Sequence, residues 1–430
     1  MRVSYCSLGC KVNEYEAVSV INQFLDAGFR LVPFHEPADV CIINTCTVTS
    51  TSDAKSRKMI RRAARRNKDG VIAVMGCFSQ LHPEDVQEIG ADIIIGTSNR
   101  HRLFALCMEA LNAKQKHFLI SDMRDYREYE EIKVQRYLSH TRGYIKIEDG
   151  CDNFCSYCEI PYARGRVRSR NATEIVNEVR QLSAMGMKEL VLTGINTGAY
   201  GKDLEDFGFA DLLGEILKVK GFRIRISSLE ATQLSDELLA LFSENRDRFC
   251  PHFHVPLQNG DDEILKLMNR KYDTDYYFRK IEKIRAVFPD ANITTDYMVG
   301  FPGESAEHFE RGREFARKVG FGEMHVFPYS PRPHARAKDF PNQVDGITKR
   351  FRVNEMLNLN REMALSYRRK FLNKSLEVLV ERAEGGIAFG HSENYLQVSF
   401  PSAAENNELI RVKIVEADYP VSIGKEQADV

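Results

Sequence analysis

Nowhere in the 430 residues is there a run of about 18 uncharged apolar residues, which is what a helix needs to cross a bilayer. The first ten residues, MRVSYCSLGC, lack the charged-then-apolar layout of a secretory leader. The expected location is therefore the cytoplasm, with no membrane partner. An excess of one charge is also missing: 60 Lys and Arg face 61 Asp and Glu, so the whole-chain balance argues neither for nor against a nucleic-acid partner. Any basic footprint must be local. No internal repeat or low-complexity tract appears, so the chain is not read as a repeat array. Without an export signal, the ten cysteines are not a disulfide framework, because the cytosol keeps thiols reduced. Metal ligation or packing must account for them.

What is present reads as an α/β protein of about three domains, since this length exceeds one ordinary core. The first 115 residues alternate apolar runs with helical stretches: RVSYCSLG, a helix opening at Asn13, DVCIINT, a helix from about Ser52, VIAVMG, a helix after Pro83, DIIIGTS and a helix from His101. That alternation predicts a doubly wound parallel sheet. Residues 116–142 turn polar and read as a connector. From Gly143, six runs (GYIKIEDG, ELVLTGI, FRIRISS, FHVPLQ, ITTDYMVG and EMHVFPYS) are separated by helix-length sequence and predict an open or partial parallel barrel. A charged helix from about Gly346 to Asn373 follows. SLEVLVER, GIAFGH, YLQVSF and LIRVKIVEA then predict a small antiparallel β-barrel or sheet.

The segment GCDNFCSYCEIPYARGR spaces Cys151, Cys155 and Cys158 as Cys-x3-Cys-x2-Cys directly after a strand. Three thiolates on a [4Fe-4S] cluster leave one iron without a protein ligand. That iron can chelate S-adenosylmethionine (SAM), and an electron from the cluster can cleave it to a 5′-deoxyadenosyl radical. Zinc is the competing ligand, but it wants a fourth donor close by and no further His or Cys lies near this loop. Tyr157 is placed to stack on adenine.

A second set is dispersed. Cys10, Cys46 and Cys77 end the runs YCSLGC, CIINTC and VIAVMGC. In a parallel sheet the carboxyl ends of strands share one edge, where ligands bind. Gly9 and Gly76 would let backbone approach a bulky ligand. Each of these cysteines taken singly also reads as a small buried hydrophobe, and at this point both readings stand. Cys6, Cys41 and Cys107 fall within apolar strand or helix patterns and are expected in the core, and packing is favoured for Cys250.

With these motifs in hand, the chain resembles the methylthiotransferase family of radical-SAM enzymes over essentially its whole length. The resemblance implies an N-terminal methylthiotransferase domain (1–120) with an auxiliary [4Fe-4S] cluster on Cys10, Cys46 and Cys77. It further implies a radical-SAM partial (β/α)6 barrel (140–372) and a small β-barrel called TRAM (373–430). LGCKVNEYE and NTCTVT resemble the bacterial threonylcarbamoyladenosine tRNA methylthiotransferase subgroup, rather than those acting on isopentenyladenosine or a ribosomal-protein side chain. All six cysteines are then catalytic cluster ligands. Thr193, Gly194, Asn196, Ser228, Glu230, Gln258 and Asp296 fall in stretches that match the family and are expected at strand ends facing the SAM pocket.

Two departures stand out. Where the family reads Arg-x-Gly-Thr, this chain has His334 and Ala335 in the Gly-Thr positions, and Glu159 replaces an apolar residue after the third cluster cysteine. A carboxylate there would lower the cluster's potential or need a basic partner such as Arg164.

The mechanism implied by the resemblance uses one SAM to methylate a sulfide on the auxiliary cluster and a second to generate the radical that removes hydrogen from adenosine C2. Partners implied are tRNA and an electron donor such as flavodoxin or ferredoxin, with a monomeric enzyme. For RNA, the helix SDAKSRKMIRRAARRNK carries Arg57, Arg61 and Arg65 among eight basic residues opposed by Asp53, with Met59, Ile60, Ala63 and Ala64 as its buried stripe. Arg164, Arg166 and Arg168 form a second candidate strip. The C-terminal barrel has few aromatic residues for stacking. Gripping RNA by shape, recognising the threonylcarbamoyl group and docking on the radical-SAM domain are all open to it.

Overall fold

Val40–Thr45 and Val71–Gly76 are buried at every position, as strands with helices on both faces must be. They lie at the centre of a parallel sheet ordered Arg30–Leu31, Arg2–Ser7, Val40–Thr45, Val71–Gly76, Ile93–Ile95, His117–Leu119. Side chains alternate between two cores. Val40, Ile42, Ala73 and Met75 pack against the helices Lys11–Asp26 and Leu103–Ala113, while Cys41, Ile43, Ile72 and Val74 meet Ser50–Arg66 and Pro83–Ile89 on the other face. The strand order reverses between Arg2–Ser7 and Val40–Thr45, the switch point at which open α/β sheets bind ligands.

In this computed structural model residues 1–134 and 141–427 are described, so residues 135–140 of the predicted connector and 428–430 of the predicted C-terminal barrel lie outside the described residues. The chain divides into two units. The first comprises Met1–Leu138, Glu148–Arg170 and Ser330–Lys338, and the second comprises Ser139–Ile147, Asn171–Tyr329 and Asp339–Val430. The Cys151–Cys158 loop thus packs with the N-terminal sheet. Residues 116–134 are not a solvated linker either: they supply the strand His117–Leu119 and bury Met123, Ile132 and Val134.

The second unit carries the six predicted parallel strands as two three-stranded sheets. One is ordered Arg223–Ile226, Glu189–Thr193, Gly143–Lys146, and the other His252–His254, Asn292–Val299, Glu323–Pro328. A parallel bridge from Ile224 to Phe249 links them into the partial barrel. After the helix Gly346–Arg369, five strands close a barrel, one more than expected: Val421–Glu426 inserts between Gln397–Pro401 and Leu409–Glu416. It pairs in parallel with Gln397–Pro401, so the barrel is not wholly antiparallel. This barrel docks within the unit at the amino-terminal ends of the first sheet, where Arg142 and Arg223 pair with Glu381 and Glu377.

Candidate active site

Three strand ends bring Cys10, Cys46 and Cys77 together. Cys10 caps the helix Lys11–Asp26, Cys46 follows Val40–Thr45, and Cys77 opens the short helix Cys77–Leu81 rather than closing the strand. Their thiols are near enough to repel one another as thiolates. A Cβ on Gly9, at φ +98°, would stand 2.8 Å from both the Cβ and Sγ of Cys46, so only glycine lets these two segments approach. Gly76, at φ +108°, is held for a different reason: a Cβ there would strike Asn44 and the Thr45 backbone, so the chain itself rather than a ligand is its close neighbour. Cys46 and Cys77 are buried and Cys10 is exposed, so the set opens to solvent on one side. Burial pushes the Cys77 thiol up to about 12, against a pull from Arg164, and raises Cys46 as well. Such thiols stay protonated at neutral pH unless a metal displaces the proton. Cys6 is only half-buried, whereas Cys41 and Cys107 are core as expected.

The Cys151–Cys158 loop is closed by the Cys151 N–H donating to Gly165 O at 3.0 Å, with Gly150 at φ +89° pressed against the Arg166 carbonyl. Burial raises Cys151 well above the usual thiol range, and Cys158 and Cys155 add to the shift, so these three thiols also converge. The Ile160 N–H reaches Cys158 Sγ at 3.4 Å, the kind of donor that a cluster thiolate accepts from. Among the described residues no three His, Cys, Asp or Glu side chains are arranged to hold a single metal ion. The donor chemistry fits an iron–sulfur cluster: three soft thiols, backbone N–H groups and a low-dielectric wall.

Arg164 ends the helix that follows this loop and is fully buried. It donates through Nε to Cys77 Sγ at 3.2 Å, through one terminal nitrogen to Glu16 (2.8 Å) and Asp149 (2.9 Å), and through the other to Asn13 (2.7 Å) and Glu16 (3.1 Å). Burial alone would discharge it, but Asp149 and Glu16 hold it firmly protonated, and a Cys77 thiolate would add to that hold. Arg168, also buried, donates to the Arg164 and Arg166 carbonyls and pairs with Asp149. Neither is available to a phosphate, so the expected strip of Arg164, Arg166 and Arg168 reduces to Arg166, which is 55% exposed. Alternating arginines on a short turn read alike in sequence whether they face water or a carboxylate.

The partner of Glu159 is not Arg164 but Arg332 and His334. Arg332 pairs with Glu159 at 2.8 Å and with Asp53 at 2.8 Å, and it donates to Thr47. The His334 N–H and imidazole Nδ1 meet the other oxygen of Glu159 at 2.8 and 3.0 Å. The two departures from the family pattern thus form one contact, and the lone acid of the basic helix, Asp53, is sequestered by it.

In the second unit Thr193 closes its strand, and Asn196 accepts from Gln233 at 2.7 Å. Glu230 is paired with Arg270, and Gly194 and Ser228 are half-buried in the loops that follow their strands. Asp296 is not at a strand end but in the middle of Asn292–Val299, with His254 at 3.5 Å and His325 nearby holding it below the usual carboxylate range against the upward push of burial. Gln258 sits at φ +71° with its side-chain oxygen buried and unpaired, an acceptor poised for a ligand. Tyr157 is half-buried in the cysteine loop. Cys250 is packed as expected, but beside Glu189 rather than among apolar groups.

The helix Ser50–Arg66 presents Lys55, Lys58, Arg61, Arg62 and Arg65 to solvent, while Arg57 is committed to Asp85 and lies over Phe78. Ile60 and Ala63 are its buried residues from the expected stripe, with Met59 and Ala64 packed partway.

Comparison with known proteins gives the family of the chain. The Radical SAM superfamily matches residues 145–316, and an uncharacterised protein family, UPF0004, matches residues 2–96. The chain is 40% identical to the threonylcarbamoyladenosine tRNA methylthiotransferase MtaB of Bacillus subtilis, over 98% of this chain and 96% of that one. It is 36% identical to the Thermotoga maritima protein of the same name, over 92% and 90%. A tRNA-2-methylthio-N(6)-dimethylallyladenosine synthase of Thermoanaerobacter is 35% identical over 87% and 80%. Among solved structures, the radical SAM methyltransferase TsrM of Kitasatospora setae aligns with a TM-score of 0.60 at 15% identity, covering 78% of this chain and 77% of that one, a likeness of fold.

Proposed function

The chain belongs to the radical-SAM methylthiotransferase family, and from that premise we propose that it converts threonylcarbamoyladenosine beside the tRNA anticodon to its 2-methylthio derivative. The observation that carries the reading is the gathering of two thiol trios in one unit, Cys151, Cys155 and Cys158 with Cys10, Cys46 and Cys77. A [4Fe-4S] cluster on the first trio supplies, when bound, the site and electron for SAM cleavage. We assign a second [4Fe-4S] cluster to the other trio, which the switch point of the sheet supports.

The protein's own groups then bind, orient and shield. The aromatic C–H at adenosine C2 has no acidic proton, so no general base is called for. Burial of Cys46, Cys77 and Cys155 keeps water from the thiolates. Gln258, Thr193, Gly194, Asn196 and Ser228 are the hydrogen-bonding groups we assign to the polar edges of SAM. Glu230, paired with Arg270, and Asp296, beside His254, are the carboxylates we assign to the ribose hydroxyls. A flavodoxin or ferredoxin would deliver the electron, and the enzyme is read as a monomer.

The test is direct: reduced enzyme, SAM and tRNA with or without the threonylcarbamoyl group, followed by nucleoside analysis. Methylthiolation only of the threonylcarbamoylated tRNA is expected. Product on isopentenylated adenosine instead, the substrate type of the dimethylallyladenosine relatives, would overturn the substrate assignment, as would product on a ribosomal-protein side chain.

Arg61 and Arg65 are the exposed cations we assign to anticodon-stem phosphates. Replacing both with Glu should weaken tRNA binding at least tenfold at low salt and reduce the slope of log affinity against log salt by roughly 1 to 2, given about 0.9 per phosphate contact. An unchanged slope in a filter-binding titration would remove this helix from the interface.

A further inference from the structure

We propose that Arg164 is a positioning residue for the second cluster, a strut by which the loop of Cys151, Cys155 and Cys158 fixes the ligands Cys10, Cys46 and Cys77. The inference rests on the reading that the latter three hold a cluster. Its basis is a hydrogen-bond inventory. A guanidinium has five N–H donors, and each of the five from Arg164 has its own acceptor atom: Cys77 Sγ, both oxygens of Glu16, one of Asp149 and the side-chain oxygen of Asn13. Asn13 extends the reach. Its amide nitrogen donates to Leu8 O at 2.7 Å and Thr45 O at 3.0 Å, the carbonyls just before Gly9–Cys10 and Cys46, and its oxygen lies 3.8 Å from Cys10 Sγ. One planar side chain therefore touches the third ligand directly and the other two through a single amide.

Arg164 stands only six residues after Cys158, in a five-residue helix tied back to Cys151 through Gly165. A shift in the first thiol loop is carried to the second set. The charge balance also suits a cluster. Arg100, Arg164 and Arg168 face Glu16, Glu130 and Asp149, so the surrounding buried groups are neutral and the N–H···S bond is free to offset negative charge on the ligand sulfur. Hydrogen bonds to ligand sulfurs raise the potential of iron–sulfur clusters, and removal of outer-shell partners typically costs about ten- to a hundredfold in metal affinity. Lysine cannot replace this function, because one compact ammonium with three donors cannot span the four partner side chains.

The test uses the full chain with Cys151, Cys155 and Cys158 all changed to Ala, leaving only the second site to reconstitute. That protein should hold about four irons. If it holds none, the second-cluster reading falls, and this inference with it. Where iron is held, Arg164→Lys is added and compared with Arg168→Lys, which alters the same buried network without touching a sulfur. Arg164→Lys should lower the midpoint potential of the remaining cluster and speed its loss to a chelator about ten- to a hundredfold. Arg168→Lys should leave the potential where it was, even if it lowers thermal stability as much. Equal potentials and chelation rates for the Arg164→Lys protein and its parent would overturn the proposal, as would an Arg168→Lys protein that matches it in both. Should Arg164→Lys fail to fold, Asn13→Ala gives the milder arm, with faster chelation expected and an unchanged rate counting against the strut.

Discussion

Changing Cys46 to Ala is expected to abolish methylthio transfer while leaving SAM cleavage measurable. Cys46 lies against Gly9, and its backbone exchanges hydrogen bonds with Ser56, accepting from the hydroxyl at 3.0 Å and donating to it at 3.2 Å. Alanine fits that backbone without strain, so the fold survives and the loss is chemical. In the second cluster we assign to these thiols, loss of one of three protein ligands should empty the site, and iron should fall from about eight to about four per chain. The radical site is untouched, so 5′-deoxyadenosine still forms from SAM but without methylthiolated nucleoside. Cys155→Ala should instead lose both products, since that thiol belongs to the loop we assign to the cluster that cleaves SAM. Residues that act as a unit are non-additive, so the Cys46→Ala, Cys77→Ala double variant should be no worse than either single change. Methylthio transfer persisting in Cys46→Ala, or its eight irons remaining, would sink the second cluster.

Much of this site was legible because its chemistry is punctuated. Three cysteines within eight residues need no structure to be seen together, and three more at the ends of apolar runs become neighbours once the runs are recognised as parallel strands. What sequence could not supply was the partner of each charge. Arg164 and Arg166 differ by two positions and read identically, yet one is fully buried in a carboxylate cage and the other exposed. Glu16 and Glu130 are ordinary helix and connector acids until the fold places Arg100 between them. The short strands Arg30–Leu31 and His117–Leu119 were missed because two or three residues carry no detectable period.

Val421–Glu426 escaped for a related reason: VSIGKE is interrupted by a glycine and lies close to the chain's end, and only barrel closure makes it a strand. The pairing of Glu159 with His334 could have been suspected, since two departures in a family pattern invite the idea that they compensate one another. Distance in sequence hid it, since the two lie 175 positions apart. Arg332 holds the Arg position of the Arg-x-Gly-Thr pattern, but nothing in the sequence showed what it pairs with. It is nevertheless what keeps two buried carboxylates, Glu159 and Asp53, compensated beside the cysteine loop.

The largest stability effect is expected from Glu189, at the amino end of the central strand of the first barrel sheet. It is fully buried and accepts from three arginines: Arg225 at 2.6 and 3.0 Å, Arg142 at 2.6 Å and Arg223 at 2.8 Å. Arg223 is its register partner on the neighbouring strand, and Arg142 directly precedes the strand on the other side, so one carboxylate ties three strands together. Those same arginines continue into the C-terminal barrel through Glu381, Glu377 and the Ser392 carbonyl, with the Tyr395 ring beneath Arg225.

Breaking such a pair leaves uncompensated buried charge, at about 3–5 kcal/mol. For a unit of this size that is a fall in Tm on the order of 10 °C, at about 2–4 °C per kcal/mol. Glu189→Gln should show nearly the whole loss, because the amide keeps the shape and removes the charge. Removing the exposed Lys218–Glu215 pair should move Tm by little, at about 0–1 kcal/mol. Burial by itself would raise the Glu189 carboxyl, but Arg225, Arg142 and Arg223 hold it well below its ordinary value of 4.5. Its contribution is accordingly complete above pH 4.5 and is lost only as pH falls through the depressed folded value. The difference in stability between wild type and Glu189→Gln should therefore stay flat from neutral pH down to about 4.5 and shrink below it. A difference that instead widened on acidification, or a Tm within 2 °C of wild type at neutral pH, would mean that the three arginines find other partners and that Glu189 is not the tie between these strands.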